Sequence, residues 1–100
     1  MRIIWSLLAV ERIEEISDYI ADDNPSAANK WVDSVFEKVE MLKGNPQMGR
    51  VVPELNVPSI REIIFGNYRI IYRHEQKLLI ILTVRSFRQI LPIKDVDSDS

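Results

Sequence analysis

The residues best suited to chemistry in this 100-residue chain are arginines in its second half. In Tyr68-Arg69-Ile70-Ile71-Tyr72-Arg73, alternation puts Tyr68, Ile70 and Tyr72 on one side of a strand and Arg69, Ile71 and Arg73 on the other. Arg61 lies in the preceding apolar run, and Arg85 and Arg88 follow the next one. Residues 61 to 88 hold six Lys and Arg against two Glu. Guanidinium groups fixed on a sheet bind phosphate or carboxylate as a bidentate fork, which is what a surface for nucleic acid or an acidic peptide requires. The competing reading is a solvated face whose arginines pair with Glu62 and Glu75.

The remaining candidates are weaker. Histidine is the side chain that ordinarily titrates near neutrality, but His74 stands at a strand end beside Glu75 with no partner at catalytic spacing, and reads as an exposed turn residue. Ser59, Thr83 and Ser86 lack any His/Asp arrangement for nucleophilic chemistry. Tyr68, Tyr72 and Phe87 suit either base stacking or a core, whereas Tyr19, Trp31 and Phe36 read as core residues of helices. No cysteine and one histidine argue against disulfides, thiolate sites and His-rich metal centres. Neither a metal nor a cofactor is expected.

The net charge of −2 conceals an asymmetry. Residues 1 to 49 carry five Lys and Arg against nine Asp and Glu, residues 50 to 94 carry eight against three, and residues 95 to 100 add three Asp. An acidic first half joined to a basic second half predicts one positive face with an anionic target.

These side chains need a scaffold, and the periodicity supplies one. Arg2-Ile3-Ile4-Trp5 reads as a strand, with Ser6 as a helix cap. Ala9, Ile13, Ile16 and Ile20 mark an amphipathic helix ending near Asp22-Asp23. Asn24-Pro25 restarts the chain as cap and first helical residue, and Ala28, Trp31, Val35, Val39 and Leu42 mark a second helix stopped at Gly44-Asn45-Pro46. So short a connection folds the pair into an antiparallel hairpin. Residues 44 to 59 read as a structured loop. Strands follow at Ile60 to Phe65, Tyr68 to Arg73 and Leu78 to Val84, the first two joined through Gly66-Asn67. The predicted class is α+β, in the order β-α-α-β-β-β, a small and mainly antiparallel sheet packed against an αα-hairpin. One domain is expected over residues 1 to 94, followed by an acidic, disordered tail over 95 to 100. The apolar run Ile3 to Val10 is too short for a membrane span and has no cleavage site after it, so no membrane partner and a cytoplasmic location are expected.

Several segments in this order resemble the RelE/ParE toxins of bacterial and archaeal toxin–antitoxin pairs. They are Ile16-x-x-Tyr19-Ile20, Asn24-Pro25-x-Ala27-Ala28, Asn45-Pro46-x-x-Gly49-Arg50 with Pro53-Glu54-Leu55, Arg61-Glu62-Ile63, Gly66-x-Tyr68-Arg69-Ile70-Ile71-Tyr72-Arg73, and Ile81-Leu82-Thr83-Val84 with Arg85-x-x-Arg88. The resemblance implies a growth-inhibiting toxin held in a hetero-oligomer by a cognate antitoxin. It also implies one of two mechanisms, cleavage of mRNA on the ribosome (RelE-like) or poisoning of DNA gyrase (ParE-like). In the nuclease branch Arg69, Arg85 and Arg88 would be the catalytic cations. RNA cleavage also needs proton transfer, and Arg85-Ser86-Phe87-Arg88-Gln89-Ile90-Leu91-Pro92 offers neither Tyr nor His; a phenyl ring at Phe87 cannot move a proton. The loop at 44 to 59 also lacks the lysines of ribosome-dependent members. The expectation is therefore a ParE-like gyrase poison with no catalytic residues, whose basic face of Arg61, Arg69, Arg73, Arg85 and Arg88 meets antitoxin or target. The alternatives are the ribosome-dependent nuclease and an inactive member that only binds antitoxin.

Overall fold

The computed structural model describes residues 1–97. The chain runs β1 (Arg2–Trp5), α1 (Leu7–Asp23), α2 (Pro25–Met41), β2 (Arg50–Val51), β3 (Ile60–Phe65), β4 (Tyr68–Glu75), β5 (Leu78–Ser86) and α3 (Ile93–Asp97). The helix starts follow the cap chemistry. Ser6 Oγ accepts from the Ala9 N–H at 3.0 Å while donating to the Leu82 carbonyl at 2.8 Å, so one hydroxyl caps α1 and fastens it to the sheet. Asn24 Oδ1 accepts from the Ala27 N–H at 3.0 Å, with Pro25 at the first helical position where its missing N–H costs nothing.

The sheet has the order β1-β5-β4-β3-β2, with β1 parallel to β5 and the other pairs antiparallel. Gly66 takes φ +59° in the β3–β4 turn, a conformation that costs glycine nothing. The register shifts between Ile71 and Tyr72, which face Thr83 and Ile81, so Leu82 is the extra residue of a bulge. Ile81 and Val84 consequently join the same core layer although three residues apart.

The sheet is covered on both faces. On one, Ala9, Ile13, Val35, Val39 and Leu42 pack on Ile70, Tyr72, Leu79, Ile81 and Val84. On the other, Val52, Leu91 and Val96 pack on Ile60, Ile71, Ile80 and Leu82. Burying each large aliphatic side chain stabilises by roughly 1.5–3 kcal/mol, so this second layer is a substantial part of the fold.

Four expectations need correction. The segment 44 to 59 contributes a strand, β2, too short to carry a period. β4 and β5 run on to Glu75 and Ser86, which puts His74 inside a strand and leaves Gln76-Lys77 as the turn. The expected acidic tail is helical as far as Asp97, with Asp95 and Val96 buried, because Arg85 and Thr83 bind Asp95 while Val96 enters the second core layer. The rest of that tail, residues 98–100, lies outside the described residues. Finally, Tyr19 and Phe36 are exposed rather than core.

Candidate functional site

β4 and β5 place Arg69 and Arg85 directly opposite each other. Two cations facing across a strand pair repel, so each requires a counter-charge nearby. Arg69 is almost fully buried and has two. Its Nε donates to Glu62 Oε1 at 2.6 Å, while Nη1 and Nη2 fork onto Glu54 Oε2 and Oε1 at 2.6 and 2.8 Å. Nη1 also donates to the Gln89 carbonyl at 3.1 Å, and Nη2 lies 2.6 Å from Glu62 Oε1. With five N–H donors in a guanidinium, none is left for a phosphate. Arg85 forks onto Asp95, with Nε to Oδ2 at 2.6 Å and Nη2 to Oδ1 at 3.0 Å, and Thr83 Oγ1 donates to Oδ2 at 3.1 Å.

Each carboxylate comes from a different element. Glu62 stands opposite Ile71 in β3, hence diagonal to Arg69, and opposite Arg50 in β2, whose Nε donates to Glu62 Oε2 at 2.6 Å. Glu54 belongs to the loop before β3 and also accepts from the Leu91 N–H at 2.8 Å. Asp95 belongs to α3. The arginine pair therefore ties the loop and the C-terminal segment onto the sheet. The hydrogen bonds from Arg69 hold the Glu54 carboxyl down to about 2, from an ordinary 4.5. Burial pushes Asp95 up, but the hydrogen bonds and charge of Arg85 outweigh it and the net shift is downward. Hydrogen bonding to Glu54 raises Arg69, and hydrogen bonding to Asp95 raises Arg85.

The other three arginines do not join this cluster. Arg61 sits opposite Tyr72, in the alternation of Ile63 and Phe65 on the helix-covered side, and its Nη1 donates to the Gly49 carbonyl at 3.0 Å. Arg73 shares the face of Arg69 but pairs with Glu75 at 3.0 Å. Arg88 is exposed beyond β5, its guanidinium 5.6 Å from the centre of the Phe87 ring. Instead of one open basic face, the structure has a buried, neutralised pair with separate cations around it. Of the two readings in the sequence, pairing with Glu62 and Glu75 describes Arg69 and Arg73.

Tyr72 is fully buried and so cannot stack on a base. Its hydroxyl donates to the Pro46 carbonyl at 2.6 Å and accepts from the Gly49 N–H at 3.1 Å; burial raises it above the ordinary phenol value. A Cβ at Gly49 would lie 2.5 Å from the Glu62 carbonyl oxygen and 2.7 Å from this hydroxyl, so only glycine fits. The residues missed in sequence are the counter-ions Glu54, Asp95 and Arg50. Glu62 was legible, because a two-residue turn at Gly66-Asn67 sets it diagonal to Arg69. Among the described residues, no group of three or more His, Cys, Asp or Glu is placed to hold a metal, and no helix is long and apolar enough to cross a membrane.

An αα-hairpin on a five-stranded mixed sheet, with an arginine at its centre, defines a RelE/ParE-like α+β fold. A solved structure described as "Chromosomal ParDE TA system from P. aeruginosa" superposes with a TM-score of 0.70 at 25% identity, over 86% of this chain and 95% of that one. "Putative toxin Y4kP" of Sinorhizobium fredii is 32% identical over 90 residues, covering 88% of this chain and 91% of that protein. The family model described as "ParE toxin of type II toxin-antitoxin system, parDE" matches residues 3–91. This chain belongs to the ParE toxin family of type II toxin–antitoxin systems.

Proposed function

We propose that this toxin arrests growth by binding and poisoning DNA gyrase in the cytoplasm, without a hydrolytic step of its own, and that a cognate antitoxin neutralises it in a hetero-oligomer. The observation that carries the non-catalytic part is the saturation of Arg69 and Arg85 by Glu54, Glu62 and Asp95. A ribonuclease of this fold needs such cations free for phosphate and a proton-transfer group beside them. Here the hydroxyl in the cluster is that of Thr83, already donated to Asp95. An acidic antitoxin segment would meet the cations left at the surface, Arg50 and Arg88, and its binding would weaken with salt over a screening length of about 8 Å.

Pulse labelling after induction without antitoxin tests this reading, followed by supercoiling and cleavage-complex assays with purified gyrase. Gyrase poisoning predicts that DNA synthesis fails first and that gyrase–DNA cleavage complexes accumulate. A stop in protein synthesis within minutes, with DNA synthesis persisting, would favour ribosome-dependent mRNA cleavage. Continued growth with folded toxin present would point to an inactive, antitoxin-binding member.

A further inference from the structure

A cleft of about 810 Å³ separates the α1–α2 connection from the β3–β4 turn. Four aromatic rings line it: Tyr19 from α1, Trp31 from α2, and Phe65 and Tyr68 flanking the turn, with Trp31 and Tyr68 edge-to-face at 5.3 Å. Asp22 and Asp23 complete the wall, and no Lys, Arg or His contributes to it.

Trp31, Phe65 and Tyr68 pack against the edge of the helix-covered core, but folding does not account for Tyr19, Asp22 and Asp23. Tyr19 is 75% exposed, so its ring adds little to the core. Asp22 and Asp23 stand in the last turn of α1, where the helix dipole opposes negative charge and no basic residue offsets it. Both are exposed, and among the described residues no ion pair involves either. Rings and carboxylates together select a flat cation, because a guanidinium stacks on aromatic faces while forking onto a carboxylate. The cleft is far larger than one guanidinium and open to solvent, which suits a side chain presented by a segment lying across it. We propose that this cleft binds an arginine side chain of a partner polypeptide, stacked on the rings and paired with Asp22 and Asp23.

The two tryptophans make the test direct. The Trp31 indole N–H is buried without an acceptor among the described residues, and its signal can be told from that of Trp5 with a Trp5→Phe variant. Titrating the full chain with N-acetyl-arginine amide should move the Trp31 indole resonance saturably, with a Kd on the order of 1–10 mM, and leave Trp5 unmoved. A blocked Ala-Arg-Ala tripeptide should bind at least as well, and N-acetyl-norleucine amide should not bind. Asp22→Asn with Asp23→Asn should weaken binding by roughly five- to ten-fold while Tm holds or rises, since the changes remove charge the helix end disfavours. Tyr19→Ala, at an exposed position, should weaken binding several-fold. A silent Trp31, equal binding of the norleucine probe, exclusion of the tripeptide, or undiminished affinity in the double variant would each overturn the proposal. The titration reads the cleft alone, so its outcome is separate from whether gyrase is the target.

Discussion

One sheet is held down on its two faces by different means. The helix-covered face is joined through aliphatic contacts of α1 and α2, whose apolar stripes recur at helical spacing. The opposite face has a smaller apolar layer, and its covering segments are tied on by Arg69 and Arg85 through Glu54, Glu62 and Asp95. The two faces therefore respond differently to damage. Aliphatic contacts are many and individually small, so a trimmed side chain costs only its own share. A buried ion pair that loses one member leaves an uncompensated charge, and the penalty falls on the whole layer.

Arg69→Ala is the most severe way to break this contrast. It takes from the fully buried Glu62 carboxylate the more buried of its two cations, leaving Arg50, and frees Glu54, at an expected cost of about 3–5 kcal/mol in urea denaturation. Ile70→Val, the neighbouring residue on the helix-covered face, should cost only about 1 kcal/mol. Comparable losses from the two would mean that the ion pairs do not hold the second face.

Acid is a gentler probe of the same pair. The Glu54 carboxyl is lowered to about 2 when folded, from 4.5, so the unfolded chain binds more protons between these values. Its contribution is complete above about pH 4.5 and is lost as pH falls toward 2. After discounting for the part of Glu54 that solvent reaches, it amounts to roughly 2 kcal/mol. Glu54→Gln should therefore be less stable than the parent at pH 7, and the gap should narrow below about pH 4.5 and close only toward pH 2 in parallel urea titrations. A gap independent of pH would remove Glu54 from the clamp.

A more modest loss than that of Arg69 is expected where the helical layer meets the sheet. Ser6→Ala removes both the cap on α1 and the bond to the Leu82 carbonyl, and should lower stability by about 1–2 kcal/mol without altering the Arg69 cluster. Acid sensitivity equal to that of the parent would show that the two layers respond independently.

Much of the scaffold is legible in the sequence. Ser6 and Asn24 announced the helix starts by their cap chemistry, and Gly66-Asn67 announced a hairpin whose register places Glu62 beside Arg69. β2 and α3 were not legible, because two and five residues carry no measurable period and both are held by distant partners. The Leu82 bulge escaped for a related reason: an extra residue within a continuous apolar run leaves no mark on the alternation.

By itself the sequence determined the order β-α-α-β-β-β, the helix caps, the central hairpin and membership of a toxin family, because each follows from spacing within one segment or from motifs in order. Only the tertiary structure decided which arginines are available. Arg69 meets Glu54 fifteen residues away and Arg85 meets Asp95 ten residues away. Charge neutralisation acts across space, through distances that the folded chain alone sets.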